Sequence, residues 1–151
     1  MNLTHIISLE RTFTESLSLS LFFFERNADV GLDFDTWNHI CLTWSSFNGD
    51  YRFYKDGVLV SSGSGMAKGR KIKSGGTTVI AQDQDAVGGD FELDQAFVGG
   101  VTQVNVWGVE LSESDILAQY RNCHITTGSV NEWRDFEDGV RGNAEVIAPW
   151  R

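Results

Sequence analysis

WNHICLTWSS, residues 37–46, is the stretch that decides the fold. On an extended strand, Trp37, His39, Cys41 and Thr43 fall on one face, and Ile40, Leu42 and Trp44 on the other. No carboxylate, lysine or arginine interrupts the run. A strand with two uncharged faces is expected to be covered on both, as in a packed sandwich.

The neighbouring stretches carry the same period. In YRFYKDGVLVSS (51–62) two alternating runs flank Asp56-Gly57, a dipeptide that tolerates the positive φ angles of a tight hairpin turn. SLSLSLFFF (16–24) alternates Ser with Leu, the signal of a half-buried strand. TTVIAQ (77–82) reads as a strand, and AFVGGVTQVNVWG (96–108) as one or two more. Further short strands are expected around Val130 to Phe136 and Ala144 to Trp150.

LSESDILAQYR (111–121) departs from this period and predicts a helix. Ser112 can cap its N-terminus, and Asp115 three residues on completes a capping box. Ile116, Leu117 and Tyr120 then form an apolar stripe. GSGMAKGRKIKSGG (63–76) is a Gly- and Lys-rich connection holding four of the twelve basic residues. The expectation is an all-β protein: an antiparallel jelly-roll sandwich of the concanavalin/laminin-G type, with one short helix near residues 112–121.

A chain of 151 residues is of single-domain length and buries one core. Its net charge of −9 argues against nucleic acid, whose phosphates need a basic surface. It permits cations or basic partners. No apolar run approaches the roughly 18 residues of a membrane span. The first residues lack the basic and apolar regions of a secretory leader. Cys41 and Cys123 are too far apart for a paired-ligand zinc site and read as structural.

One stretch resists a purely structural reading. QDQDAVGGDFELDQ (82–95) holds four Asp, one Glu and three Gln, with no lysine or arginine. Taken alone it is either a solvated acidic turn or an oxygen-rich cage for a hard cation.

The decisive strand also carries a family signature. His39-x-Cys41-x-Thr43-Trp44-x-Ser46 resembles that of the pentraxins at every fixed position. The hairpin FYKDGV (53–58), the acidic stretch AQDQDAVGGDFELDQAFVGGV (81–101), VNVWGVELSESDILAQY (104–120), CHITTGSVNEW (123–133) and the terminal VIAPW follow at the family's intervals. The resemblance runs from about residue 37 to the end and is weak upstream.

That resemblance implies a flattened jelly roll of two antiparallel sheets and one helix. It implies a secreted, extracellular protein of innate immunity that holds calcium on one face. Through calcium such a protein binds phosphocholine- or phosphoethanolamine-type headgroups or carbohydrates, and many members form pentamers. Carried over, the metal ligands are Asp83, Gln84 through its backbone carbonyl, Asp85, Glu92 and Gln95. Asp83 and Asp85 would bridge two ions, and Glu92 and Gln95 would serve the outer one. Gly88-Gly89 would fold the chain back between the two groups, leaving Asp90 and Asp94 solvated. Asp83 stands where the family commonly has Glu or Asp; an Asp is a methylene shorter and would tighten the bridge. Two ions need roughly twelve to sixteen oxygen contacts, more than these residues supply. In the family an upstream Asp-Asn pair adds to them. Asn2 is at about the right distance, but its neighbours match poorly and Asn2-Leu3-Thr4 is a glycosylation sequon.

In the family both cysteines pair with partners nearer the N-terminus, which this sequence does not contain. The resemblance therefore implies a single, N-terminally truncated pentraxin domain over 1–151, with an incomplete calcium site. A direct Cys41–Cys123 bond is the alternative. Asp56 and Tyr120 match positions that some pentraxins use in complement recognition, but read more simply as a turn residue and a packing residue. Glu25 is a poor match to the family's choline-binding glutamate. His39 and the tryptophans read as core. No catalytic grouping stands out, so an enzyme is not expected. The competing function is a laminin-G-like adhesion module of a larger receptor, with structural calcium.

Overall fold

The computed structural model describes residues 2–11, 17–21, 24–28, 31–33, 35–82, 84–122 and 127–147. Among the described residues seven strands and one α-helix form in chain order: β1 (Asn2–Arg11), β2 (Leu17–Leu21), β3 (Phe24–Ala28), β4 (Trp37–Ser45), β5 (Asp50–Lys55), β6 (Val58–Gly63), β7 (Gly99–Trp107) and α1 (Glu113–Arg121). Five strands make one sheet in the order β6-β5-β4-β1-β7, and β2 and β3 make a second. Every pairing is antiparallel.

The alternation in residues 37–46 builds both sides of the large sheet, as expected, but Trp37 at its start is exposed and not part of the core, unlike Trp44 and Trp107. Ile40 packs with Leu32 and Phe53, flanked by Leu42, Tyr51 and Phe97. Trp44 packs on that same side with Met66, Ala67 and Val106. The odd-numbered face places Cys41 with Tyr54, Trp107 and Ile116 of the helix. So the helix covers one face of the sheet and the 63–76 connection covers part of the other.

Asp56-Gly57 forms the expected hairpin turn. Both residues have positive φ, 51° and 77°, and Lys55 stands opposite Val58. The helix begins as read from sequence. Asp115 N–H donates to Ser112 Oγ at 3.2 Å, and Ser112 N–H donates to Asp115 Oδ2 at 3.2 Å.

Three expected strands are corrected. Residues 77–82 are irregular: Ala81 has a φ of 68°, incompatible with a strand. Around 130–136 only Asn131 makes a bridge, to Val106, and Trp133–Gly139 winds as a 3-10 turn. There Glu132 N–H donates to Asp135 Oδ2 at 2.9 Å, a local bond that competes with sheet formation. Residues 144–147 form no strand, and Pro149 and Trp150 lie outside the described residues.

The sheet order positions the site. β6 is one edge and β7 the opposite edge. Residues 64–98 must therefore carry the chain from one edge to the other. Both highly charged segments, 63–76 and 82–95, lie on this crossing.

Candidate functional site

The acidic segment is closed on itself by backbone and glutamine hydrogen bonds. Ala86 and Gly89 form a small antiparallel bridge, with Gly89 N–H donating to Ala86 carbonyl at 3.1 Å. Gly88, at φ 69°, supplies the reversal that the glycine pair was expected to give. Further out, Phe97 N–H donates to the Ala81 carbonyl at 2.9 Å, and Gln82 Nε2 donates to the Glu92 carbonyl at 2.8 Å. The outgoing limb that carries Gln84 and Asp85 is thereby clasped to the returning limb that carries Glu92 and Gln95. Leu93–Gln95 winds as a single 3-10 turn, which places Gln95 one turn beyond Glu92.

Gln84, Asp85, Glu92 and Gln95 thus lie on the two limbs of one clasped loop. Asp83 lies outside the described residues. Asp85, Glu92 and Gln95 are exposed, as are Asp90 and Asp94. Gln84 is half-buried, and its side chain has a job that sequence reasoning missed. Its Oε1 accepts from Gly88 N–H at 2.9 Å and its Nε2 donates to the Thr77 carbonyl at 3.2 Å. Gln82 was likewise missed as the clasp. The signal was present: a glutamine amide can donate and accept at once, and glutamines alternate with Asp in QDQD.

Among the described residues, no three His, Cys, Asp or Glu side chains gather as a metal cluster. The donor chemistry nevertheless fits calcium: carboxylate, amide and carbonyl oxygens, with neither sulfur nor imidazole. The fit rests on a loop whose two donor-bearing limbs are held together by the chain itself.

A second group of residues meets at the hairpin turn. The His39 ring lies 5.7 Å from the Tyr120 ring, centroid to centroid. Asp56 bonds the backbone of His39. Asp56 and Tyr120 are therefore brought to one place, around His39. Burial pulls the His39 imidazole below its usual range, and the Asp56 charge only partly opposes this. Its Nδ1 is buried with no hydrogen-bond partner among the described residues. This is the environment of a neutral, packed histidine, as the sequence suggested.

Cys41 is a buried, free thiol among the described residues. Burial pushes it far above the ordinary thiol range, so it is inert at neutral pH. Cys123 lies outside the described residues. Opposite Cys41 on β1 stands Ile6, not a cysteine. Glu25 lies on β3, opposite Ser20.

Comparison with known proteins bears on all of this. The model of the Pentaxin family matches residues 14–149. The match begins upstream of residue 37 and takes in the β2–β3 ribbon. "Sushi, von Willebrand factor type A, EGF and pentraxin domain-containing protein 1" of Rattus norvegicus is 38% identical over 112 residues, 73% of this chain and 3% of that protein. Neuronal pentraxin-2 of Cavia porcellus is 38% identical over 109 residues, 72% of this chain and 25% of that protein. The chain thus spans a quarter or less of these relatives. Among solved structures, the native heptameric SAP-like pentraxin from Limulus polyphemus superposes with a TM-score of 0.77 at 21% identity. That superposition covers 87% of this chain and 76% of the Limulus chain, and shows a shared jelly-roll fold.

Proposed function

Because this chain belongs to the pentraxin family, we propose that it is a lectin-like, non-enzymatic ligand-binding domain. Its binding depends on calcium held by Asp83, Gln84, Asp85, Glu92 and Gln95. The observation that carries this reading is the clasp of Gln82 and Ala81 onto Glu92 and Phe97. It holds the two acidic limbs together at a cost in charge repulsion that a bound cation would relieve.

Each residue then has a task. Asp83 and Asp85 supply carboxylates from the first limb, and Gln84 supplies a backbone carbonyl. Glu92 and Gln95 supply oxygens from the second. The Gln84 side chain holds the loop to Thr77 and to Gly88. When bound, calcium supplies a hard Lewis acid for phosphate or sugar hydroxyl oxygens. We place the ligand among phosphocholine- or phosphoethanolamine-type headgroups and carbohydrates. We further place the domain outside the cell and in a homo-oligomer; among the described residues no helix is long and apolar enough to cross a membrane.

The test is capture of the chain on immobilised phosphocholine, phosphoethanolamine and neutral glycans, with calcium and with chelator. Calcium-dependent retention, lost in Asp85→Asn and Glu92→Gln, is expected. Stabilisation by calcium without retention on any of these would instead favour a laminin-G-like adhesion module with structural calcium.

A further inference from the structure

Of the eight asparagines in the chain, Asn48 alone precedes a glycine. Such a pair is chemically labile. Glycine has no side chain to keep its backbone nitrogen away from the preceding side-chain amide. That nitrogen can close a five-membered ring on the amide carbon. Asn48 is exposed, in the turn between β4 and β5.

The same turn fastens the 63–76 connection. The Asn48 carbonyl accepts from Gly65 N–H at 3.0 Å, and the Gly49 carbonyl accepts from Met66 N–H at 3.0 Å. Gly69 N–H donates to the Ser46 carbonyl at 2.7 Å. Inside the core, Trp44 Nε1 donates to the Met66 carbonyl at 2.8 Å. Gly49 is itself buried, and its N–H donates to the Ser45 carbonyl at 2.9 Å. The nitrogen that would attack is thus tied back to the end of β4. The turn exposes the amide but withholds the nucleophile.

We propose that Asn48 is a deamidation site gated by this fastening, and that its conversion to isoaspartate unfastens residues 63–76. Gly49 N attacks Asn48 Cγ; a C–N bond forms and the Cγ–Nδ2 bond breaks. Nδ2 takes the bonding pair and the Gly49 proton and leaves as ammonia. Water then opens the cyclic imide, and nothing is oxidised or reduced. Opening at Cγ gives aspartate. Opening at the main-chain carbonyl gives isoaspartate, whose backbone runs on through Cβ and Cγ. The main chain is then one carbon longer just before Gly49. The bonds to Gly65 and Met66 cannot both keep their register across that insertion. Nor can the seat absorb it, since even a Cβ on Gly49 would lie 2.5 Å from Met66 N. Attack requires the Gly49 N–H to be released, so the rate follows local opening of the turn and not the exposure of Asn48.

The experiment ages the full chain in mildly alkaline buffer, folded and in urea. Peptide mapping follows the mass gain, and enzymatic methylation reports isoaspartate. Asn48 is expected to convert, at least about tenfold more slowly in the folded chain. Gly65→Ala strains a donor of the fastening and should speed folded-state conversion about fivefold or more. Asp56→Ala, in the turn at the other end of β5, should not. Chain aged in urea and refolded should show altered Trp44 emission and faster cleavage within 63–76, against fresh chain refolded in the same way. Asn48→Asp has the charge without the added carbon, and should match the parent in both. The proposal is overturned if Asn48 stays intact in urea, or if folded and unfolded chains convert alike. It is also overturned if Asp56→Ala acts as Gly65→Ala does, or if the refolded isoaspartate chain matches the parent. An Asn48→Asp variant that is itself unfastened overturns it too, because charge would then be the cause.

Discussion

His39 and Asp56 exchange two hydrogen bonds between β4 and the tip of the β5–β6 hairpin. His39 N–H donates to Asp56 Oδ1 at 3.0 Å, and Asp56 N–H donates to the His39 carbonyl at 2.8 Å. The turn residue is thereby tied to the signature strand. Gly57 beside it is packed so closely on α1 that an added Cβ would lie 2.8 Å from Leu117 Cδ1. The hairpin tip therefore couples strand to helix. Asp56→Ala removes an acceptor from a half-buried N–H and puts alanine at a φ of 51°. It should cost about 2 kcal/mol. Asp56→Asn keeps an oxygen at the same place, tolerates positive φ, and should cost less than half as much. Urea unfolding of both variants checks this; equal costs would show that the Oδ1 bond contributes nothing.

His39 makes the stability depend on pH. Burial depresses its folded-state pKa below the ordinary value of 6.5. Below pH 6.5 the unfolded chain takes up a proton that the folded chain refuses, so acid favours unfolding. The contribution is fully present above pH 6.5 and is lost as pH falls from there toward the folded-state value. Nearby, Asp56 opposes the depression and the Tyr120 ring shields the imidazole from water. His39→Gln should flatten the stability profile below about pH 6.5. Parallel profiles for parent and variant would assign the acid sensitivity to other groups.

Calcium should stabilise the chain through the clasped loop. A ligand that binds only the folded state at a hundred times its dissociation constant adds about 2.7 kcal/mol. The melting temperature should rise with calcium, and cleavage within 82–95 should slow. Both effects should vanish in Asp85→Asn. Melting curves that coincide in calcium and in chelator would remove the metal from the function.

The parts of the fold that were legible from sequence are those fixed by local chemistry. Alternation through residues 37–46, the Asp56-Gly57 turn and the Ser112–Asp115 capping box all act within a few residues, and all form as read. What was illegible depends on distant partners. β1 lies in the middle of the large sheet because β4 and β7 flank it, a fact no local pattern in residues 2–11 announces. Residues 77–82 have strand composition, but the Ala81 carbonyl is taken by Phe97 and its φ is positive, so the pattern loses to the loop closure. The candidate site divides in the same way. Its oxygen donors are visible as composition, whereas the Gln82 and Gln84 bonds that shape it join residues across the loop.

Gly49 is where the Gly- and Lys-rich connection 63–76 is fastened, and it cannot be replaced cheaply. An added Cβ would lie 2.5 Å from Met66 N and 2.6 Å from Met66 O. Those atoms belong to the peptide groups that bond Gly49 and the Trp44 indole. The backbone at Gly49 also has a φ of 71°, which disfavours any Cβ. Gly49→Ala should therefore cost at least about 2 kcal/mol and shift the Trp44 fluorescence as its indole loses the Met66 carbonyl. Gly65→Ala is the matched control. Its φ is 81°, yet nothing lies within 4 Å of an added Cβ. It should show only the backbone strain, about 1–2 kcal/mol, with the Trp44 signal unchanged. The difference between the two variants isolates the steric term. If they cost the same, the close approach at Met66 carries no energy and the loop is not fastened there.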